Sequence, residues 1–181
     1  MRLVRLIATV GLFMMTLPAI SASSSSAASL PPPCASDQLM VLASNTLGAT
    51  GTGAMVIGVA NRGASCRIGG FPQVKFLNAK GVAVDRSDIH DSSMIFAEPK
   101  SVTVTLGHED SASIGVSWSD NPVTLTDGHT TTCPTTVSVS VVLLHGVGHL
   151  SGLLQVVSAR PCGGALEVTP IEPGAWPRLN G

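Results

Sequence analysis

The chain has 181 residues, about the size of one domain, and is 44% hydrophobic but only 12% charged and 3% aromatic, with no tyrosine. Charged residues ordinarily make up about a quarter of a globular chain, so Ser, Thr, Gly and Asn must coat much of this surface. A formal net charge of -1, with no Lys/Arg cluster, excludes an electrostatic nucleic-acid binder, which needs a basic face to neutralise phosphates.

Residues 1–28 combine Arg2 and Arg5 with an apolar run over 6–17, then Pro18 and small side chains, the layout of a secretory signal followed by a Ser/Ala-rich lead. Cleavage is expected after Ser21 or Ala22. The run falls short of the roughly 20 residues a membrane span needs, and no later run approaches that length, so no integral span is expected once the signal is removed. Losing Arg2 and Arg5 leaves 8 Lys+Arg against 11 Asp+Glu, a mature charge of -3 that disfavours anionic lipid. Residues 29–33 form a Pro-rich linker, and Pro31-Pro32-Pro33 before Cys34 departs from the small residues that precede a lipid-anchored cysteine. The expected location is secreted or cell envelope.

Beyond the linker, β signals dominate. Strands are expected at 39–44, 53–61, 74–77 and 82–84, and then at 102–106, where Val102, Val104 and Leu106 alternate with Thr103 and Thr105. Ala112, Ile114, Val116 and Trp118 alternate with Ser111, Ser113, Gly115 and Ser117, the period of a half-buried strand. Further strands are expected at 135–144, 152–158 and 166–169. Gly, Ser and Thr interrupt every candidate helical window. Short strands punctuated by Gly, Pro and Asn predict an all-β, immunoglobulin-like antiparallel β-sandwich in a single domain over 34–172, with a C-terminal tail over 173–181.

The four cysteines, Cys34, Cys66, Cys133 and Cys162, all follow the leader, and an even number in an exported chain reads as two disulfides. Cys34 precedes the first expected strand and Cys66 follows the second, with the turn at 48–51 between them, so the two meet at the open end of one hairpin. Cys133 and Cys162 flank the strands on either side of 145–149 in the same way. The predicted pairs are therefore Cys34 with Cys66 and Cys133 with Cys162, each contributing about 3–4 kcal/mol by chain-entropy arguments.

Cys66-Arg67-Ile68-Gly69-Gly70-Phe71-Pro72-Gln73-Val74, followed by Phe76-Leu77-Asn78-Ala79-Lys80-Gly81, resembles the Cys-x-Leu-x-Gly-aromatic-Pro-x-Val and aspartate-x-Gly block of the actinobacterial domain of unknown function 4232. The likeness extends over nearly all of the mature chain, from Cys34 and Asn61 to Leu166-Glu167-Val168-Thr169-Pro170. It implies a secreted or surface-anchored immunoglobulin-like sandwich and carries no catalytic residues. One departure is the turn after Leu106, where the family pattern resembles Leu-x-Pro-Gly-x-Ser/Ala-Ala and this chain has Gly107-His108-Glu109-Asp110-Ser111-Ala112.

Candidate chemistry is sparse. Gly115-Val116-Ser117-Trp118-Ser119 approaches a hydrolase elbow but falls inside a strand rather than on a strand-to-helix turn. His145-Gly146-Val147-Gly148-His149 has the spacing of a helical zinc pair without the glutamate, and its glycines oppose a helix. As a three-residue hairpin loop it would set His145 and His149 directly opposite, a pair of metal ligands that still makes only half a site. The stretch 85–91 gathers Asp85, Asp88, Asp91 and His90 without the spacing of a calcium loop, and reads as a solvated loop. His108-Glu109-Asp110 reads as a charged hairpin turn. Trp118 is core by position, and Trp176 belongs to the tail.

Two connections are unusually long, 85–100 and 119–132, where ordinary ones run about four to six residues. The first carries Ile89, Met94, Ile95 and Phe96, apolar groups that serve either as a partner contact, led by Ile95 and Phe96, or as an extra strand buried on the sandwich. The expected function is a non-catalytic binding or cell-envelope interaction module, with no cofactor and with an unidentified protein or glycan of the cell envelope as partner. The alternatives are a metal-binding exported protein and an unrecognised secreted hydrolase.

Overall fold

The computed structural model describes residues 29–84, 87–89, 95–97, 100–122, 124, 126–130, 132–155, 159–163 and 165–177. The expected leader, much of the carboxylate-rich stretch and Met94 lie outside the described residues. A single 3-10 turn, Ser36–Gln38, leads into β1 (Leu39–Ala49) and β2 (Thr52–Asn61), which form a hairpin. The turn between them is only Thr50 and Gly51, and Gly51 at φ +83° takes the left-handed position that glycine adopts at no steric cost. The first strand runs past its expected end at 44. One extra residue inserted between Ala43 and Thr46 shifts the register, and pairing then resumes to Ala49 opposite Thr52. The bulge sets Ser44 and Asn45 against Val56 alone.

The next strands are β3 (Cys66–Gly69), β4 (Gln73–Leu77), β5 (Ser87–Ile89), β6 (Thr103–Leu106) and β7 (Ser111–Ser119). They are followed by β8 (Ser138–Val142), β9 (Ser151–Gln155), β10 (Ala165–Val168) and β11 (Glu172–Pro173). One sheet has the order β1-β2-β7-β10-β5, with β11 also on β7. The opposing layer consists of β4-β8-β9 and β3-β6. Named strand pairs are antiparallel except β5 with β10. The protein is thus one nearly all-β domain built as an open antiparallel sandwich.

Alternation places the core. Met55, Ile57 and Val59 of β2 and Ile114, Val116 and Trp118 of β7 meet Val74 and Phe76 of β4, Val139 and Val141 of β8 and Ile68 of β3 in one buried cluster. Phe76 and Trp118 pack edge to face across the layers, with ring centroids 5.1 Å apart and planes at 75°.

Two short strands, β3 and β11, have no counterpart among the expected elements, β5 falls in the 85–100 connection where an extra strand is one alternative, and residues 82–84 form only an isolated bridge, Leu77 with Ala83. Strands of two to four residues hold too few alternations for a period to register. Strand β7 is expected to be half-buried, yet Ser113, Gly115 and Ser117 on its outer face are buried as well. Phe96 covers Gly115 there, in a second small cluster with Ala54 and Val56.

The end of β10 is shaped by Thr169 and Pro170. Proline has no N–H to continue a ladder. The Thr169 hydroxyl accepts the Gly115 N–H at 2.8 Å, the Thr169 N–H donates to the Gly115 carbonyl at 2.9 Å, and Ile171 turns away to donate to Gly70 at 3.0 Å. Strand β11 then returns to β7, one residue out of the earlier register.

Candidate functional site

The loop of paired histidines is a backbone clasp. The β8–β9 ladder pairs Val142 with Ser151, and Leu143 N–H donates to Leu150 at 2.9 Å. Continuing that register sets His149 across from Leu144, so His145 and His149 are not the directly opposed pair expected of a three-residue loop. The tip instead reaches β3. Val147 and Gly69 exchange both backbone hydrogen bonds, at 3.0 and 2.8 Å, and His149 N–H donates to the Cys34 carbonyl at 2.9 Å. A side chain on Gly146 would collide with the Gly69 carbonyl, and one on Gly148 would stand 2.9 Å from the Arg67 carbonyl. Both glycines hold positive φ, +136° and +82°. The two imidazoles are exposed, and among the described residues no group of three or more His, Cys, Asp or Glu side chains is placed to hold a metal ion.

The other sequence candidates also find places. Ser117 is buried in mid-strand and donates to Glu167 Oε2 at 2.8 Å. His108 Nδ1 lies 3.2 Å from the Gly63 carbonyl, within the β6–β7 turn. Of Ile95 and Phe96, named above as a possible contact, Phe96 has its ring fully buried over Gly115 and Ile95 is partly buried against the same cluster. The missing Cβ of Gly115 makes the space that the ring fills. Phe96 therefore serves packing on the outer face of β7.

Both disulfides form as predicted, with Cα–Cα distances of 4.8 Å for Cys34–Cys66 and 4.2 Å for Cys133–Cys162. The first is sunk in the core where β3 meets the lead-in to β1. The second stands at the other end, beside the close of β7, where Cys162 N–H donates to the Ser119 carbonyl at 2.7 Å.

At that end the surface is concave. Gly53 lies opposite Trp118 across β2 and β7, and the indole occupies the space a Cβ at Gly53 would take. The strand end then hooks over the β1–β2 turn, with Asp120 N–H donating to Gly51 at 3.1 Å. Two clefts share Trp118 as a wall. One, of about 530 Å³, is lined by Leu47, Trp118, Asp120, Pro122, Cys133 and Arg160. The other, of about 430 Å³, is lined by Thr50, Thr52, Trp118, Asn121, Cys162 and Glu167. Each half of the second disulfide thus faces a different cleft. Trp118 itself remains 4% exposed, a core residue whose edge closes the floor.

Sequence reasoning points to the 119–132 connection but not to this constellation. Leu47, Asp120, Cys133 and Arg160 come from four separate segments, joined only when the hairpin, the end of β7 and the disulfide meet. A family model described as a domain of unknown function (DUF4232) matches residues 34–172, from the first cysteine to the start of β11. The chain belongs to this family. No curated protein and no solved structure matches it. The DUF4232 block around Cys66 is where the structure concentrates its backbone constraints. Cys66 closes the first disulfide, Gly70 admits the 145–149 clasp, and Gly69 admits the close approach of the Val102 carbonyl. Further on, Asn78 Oδ1 accepts the N–H groups of Lys80 and Val82 at 2.9 and 3.1 Å to form the turn that ends the block.

Proposed function

We propose that this DUF4232 protein is an exported, non-catalytic binding module of the cell envelope that receives its partner at the Trp118 end of the sandwich. The observation that carries this reading is the pair of adjoining clefts there, walled by loops and by a disulfide on a rigid two-layer scaffold. Sandwich domains place exchangeable connections at the ends of their sheets, where side chains vary without disturbing the core. Concave surfaces of about 300–1,000 Å³ are the usual size of small-ligand sites. Two disulfides and no described helix long and apolar enough to cross a membrane accord with export.

Gly48 offers a direct test. It lines the larger cleft, and a Cβ there would meet nothing nearer than the Thr52 carbonyl at 3.7 Å, so Gly48→Phe fills the cleft without straining the strand. The oxidised protein immobilised as bait should retain an envelope component that the Gly48→Phe variant does not retain at unchanged melting temperature. Equal retention by both proteins would place the binding surface elsewhere.

A further inference from the structure

In a chain with only 12% charged residues, the larger cleft holds one of each sign, Asp120 and Arg160. Both are exposed, and among the described residues neither has an ion-pair partner, including the other. The rest of the lining is Leu47, Gly48, Gly53, Pro122, Cys133 and the edge of Trp118. Opposite charges that line one concavity without neutralising each other, beside the apolar side chains of Leu47 and Pro122, match a ligand that carries its own two charges around an apolar body. The guanidinium presents a planar fork of donors suited to a carboxylate. Asp120 offers acceptors to an ammonium group. Its own N–H is already committed to Gly51, which fixes the backbone from which the side chain projects.

We infer that the ligand of this cleft is a zwitterion of the peptide class, a free amino acid or short unblocked peptide with apolar side chains. Its carboxylate sits on Arg160, its ammonium on Asp120 and its side chains lie against Leu47, Pro122 and Trp118. This inference rests on the binding reading above and specifies the ligand chemistry for the same cleft.

The chain has two tryptophans, so Trp176→Phe leaves Trp118 as the sole indole reporter. Unblocked leucyl-leucine should shift the Trp118 emission saturably in that background. Arg160→Ala and Asp120→Asn should each weaken binding by about tenfold or more, equivalent to about 1.4 kcal/mol, and Arg160→Lys should restore part of the loss. Amidating the dipeptide carboxylate should cost the native site the same factor and cost the Arg160→Ala variant nothing further. Acetylating the amine should do likewise with Asp120→Asn. No saturable shift, or a dependence on only one of the two charged side chains, overturns the zwitterion. If the dipeptide fails while envelope retention still depends on Gly48, the binding reading stands and only the ligand class falls. If both fail, both are overturned.

Discussion

Asn61 shows how one polar side chain in the core organises a corner. It is fully buried at the end of β2, and its amide N–H groups are shared among the carbonyls of Ala64, Leu106 and Gly107 at 2.9–3.1 Å. Its Oδ1 accepts from Gln38 Nε2 and from the Gly63 backbone. The side chain thereby joins the β1 lead-in, the approach to β3 and the β6–β7 turn. Asn61→Leu would leave these buried groups unpaired and should cost about 3 kcal/mol, measured by urea unfolding. The β6–β7 turn it holds contains Glu109 at φ +66°, the only non-glycine residue with positive φ among those described. That residue stands where the family pattern resembles Pro-Gly, so the turn keeps the left-handed geometry with a residue that pays a steric penalty for it. Gly107 N–H to Asp110 Oδ2 at 2.7 Å and Glu109 N–H to Asn61 at 2.8 Å hold it in place. Glu109→Gly should raise the melting temperature, by the equivalent of at most about 1 kcal/mol. A lower melting temperature would mean that the carboxylate itself stabilises the turn.

At the scale of elements, the segment carrying Phe96 works as a cover for the outer face of β7. Truncating Phe96 to Ala should cost about 3–5 kcal/mol, as for other fully buried phenylalanines, and Ile95→Ser clearly less. Gly115→Ala should also destabilise, because the new methyl would stand 2.8 Å from the Phe96 ring. Equal losses for Ile95→Ser and Phe96→Ala would contradict the packing described. The 145–149 clasp separates side chains from backbone in a comparable way. Replacing the exposed His145 and His149 by Ala should change stability by no more than about 0.5 kcal/mol, whereas Gly146→Ala should fail to close on Gly69 and unfold at lower urea.

For the molecule as a whole, the two disulfides differ in burial, and so in exposure to reductant. Cys34 and Cys66 are sealed in the core, whereas Cys133 is only half-buried and lines an open cleft. Limiting thiol followed by alkylation and peptide mapping should therefore label Cys133 and Cys162 before Cys34 and Cys66. Removing the first pair with Cys34→Ser and Cys66→Ser should cost about 3–4 kcal/mol, a large share of the stability of a domain this size. Labelling in the reverse order would mean that the core end of the sandwich opens more readily than the cleft end.

The amino-acid sequence by itself determined the all-β class, the long alternating strands β2 and β7 and both disulfide pairs. Each of these rests on a local period or on the order of strands along the chain, which a reader of sequence possesses. Only the tertiary structure decided that Phe96 lies under cover rather than on the surface, since Gly115, which makes room for it, stands on a different strand. The same holds for Gly146 of the 145–149 loop, whose need to be glycine shows only when the Gly69 carbonyl is brought against it. The cleft at Trp118 is the extreme case. Its walls come from Leu47, Asp120, Cys133 and Arg160, and no periodicity or spacing links residues that only long-range pairing and a covalent bridge bring together.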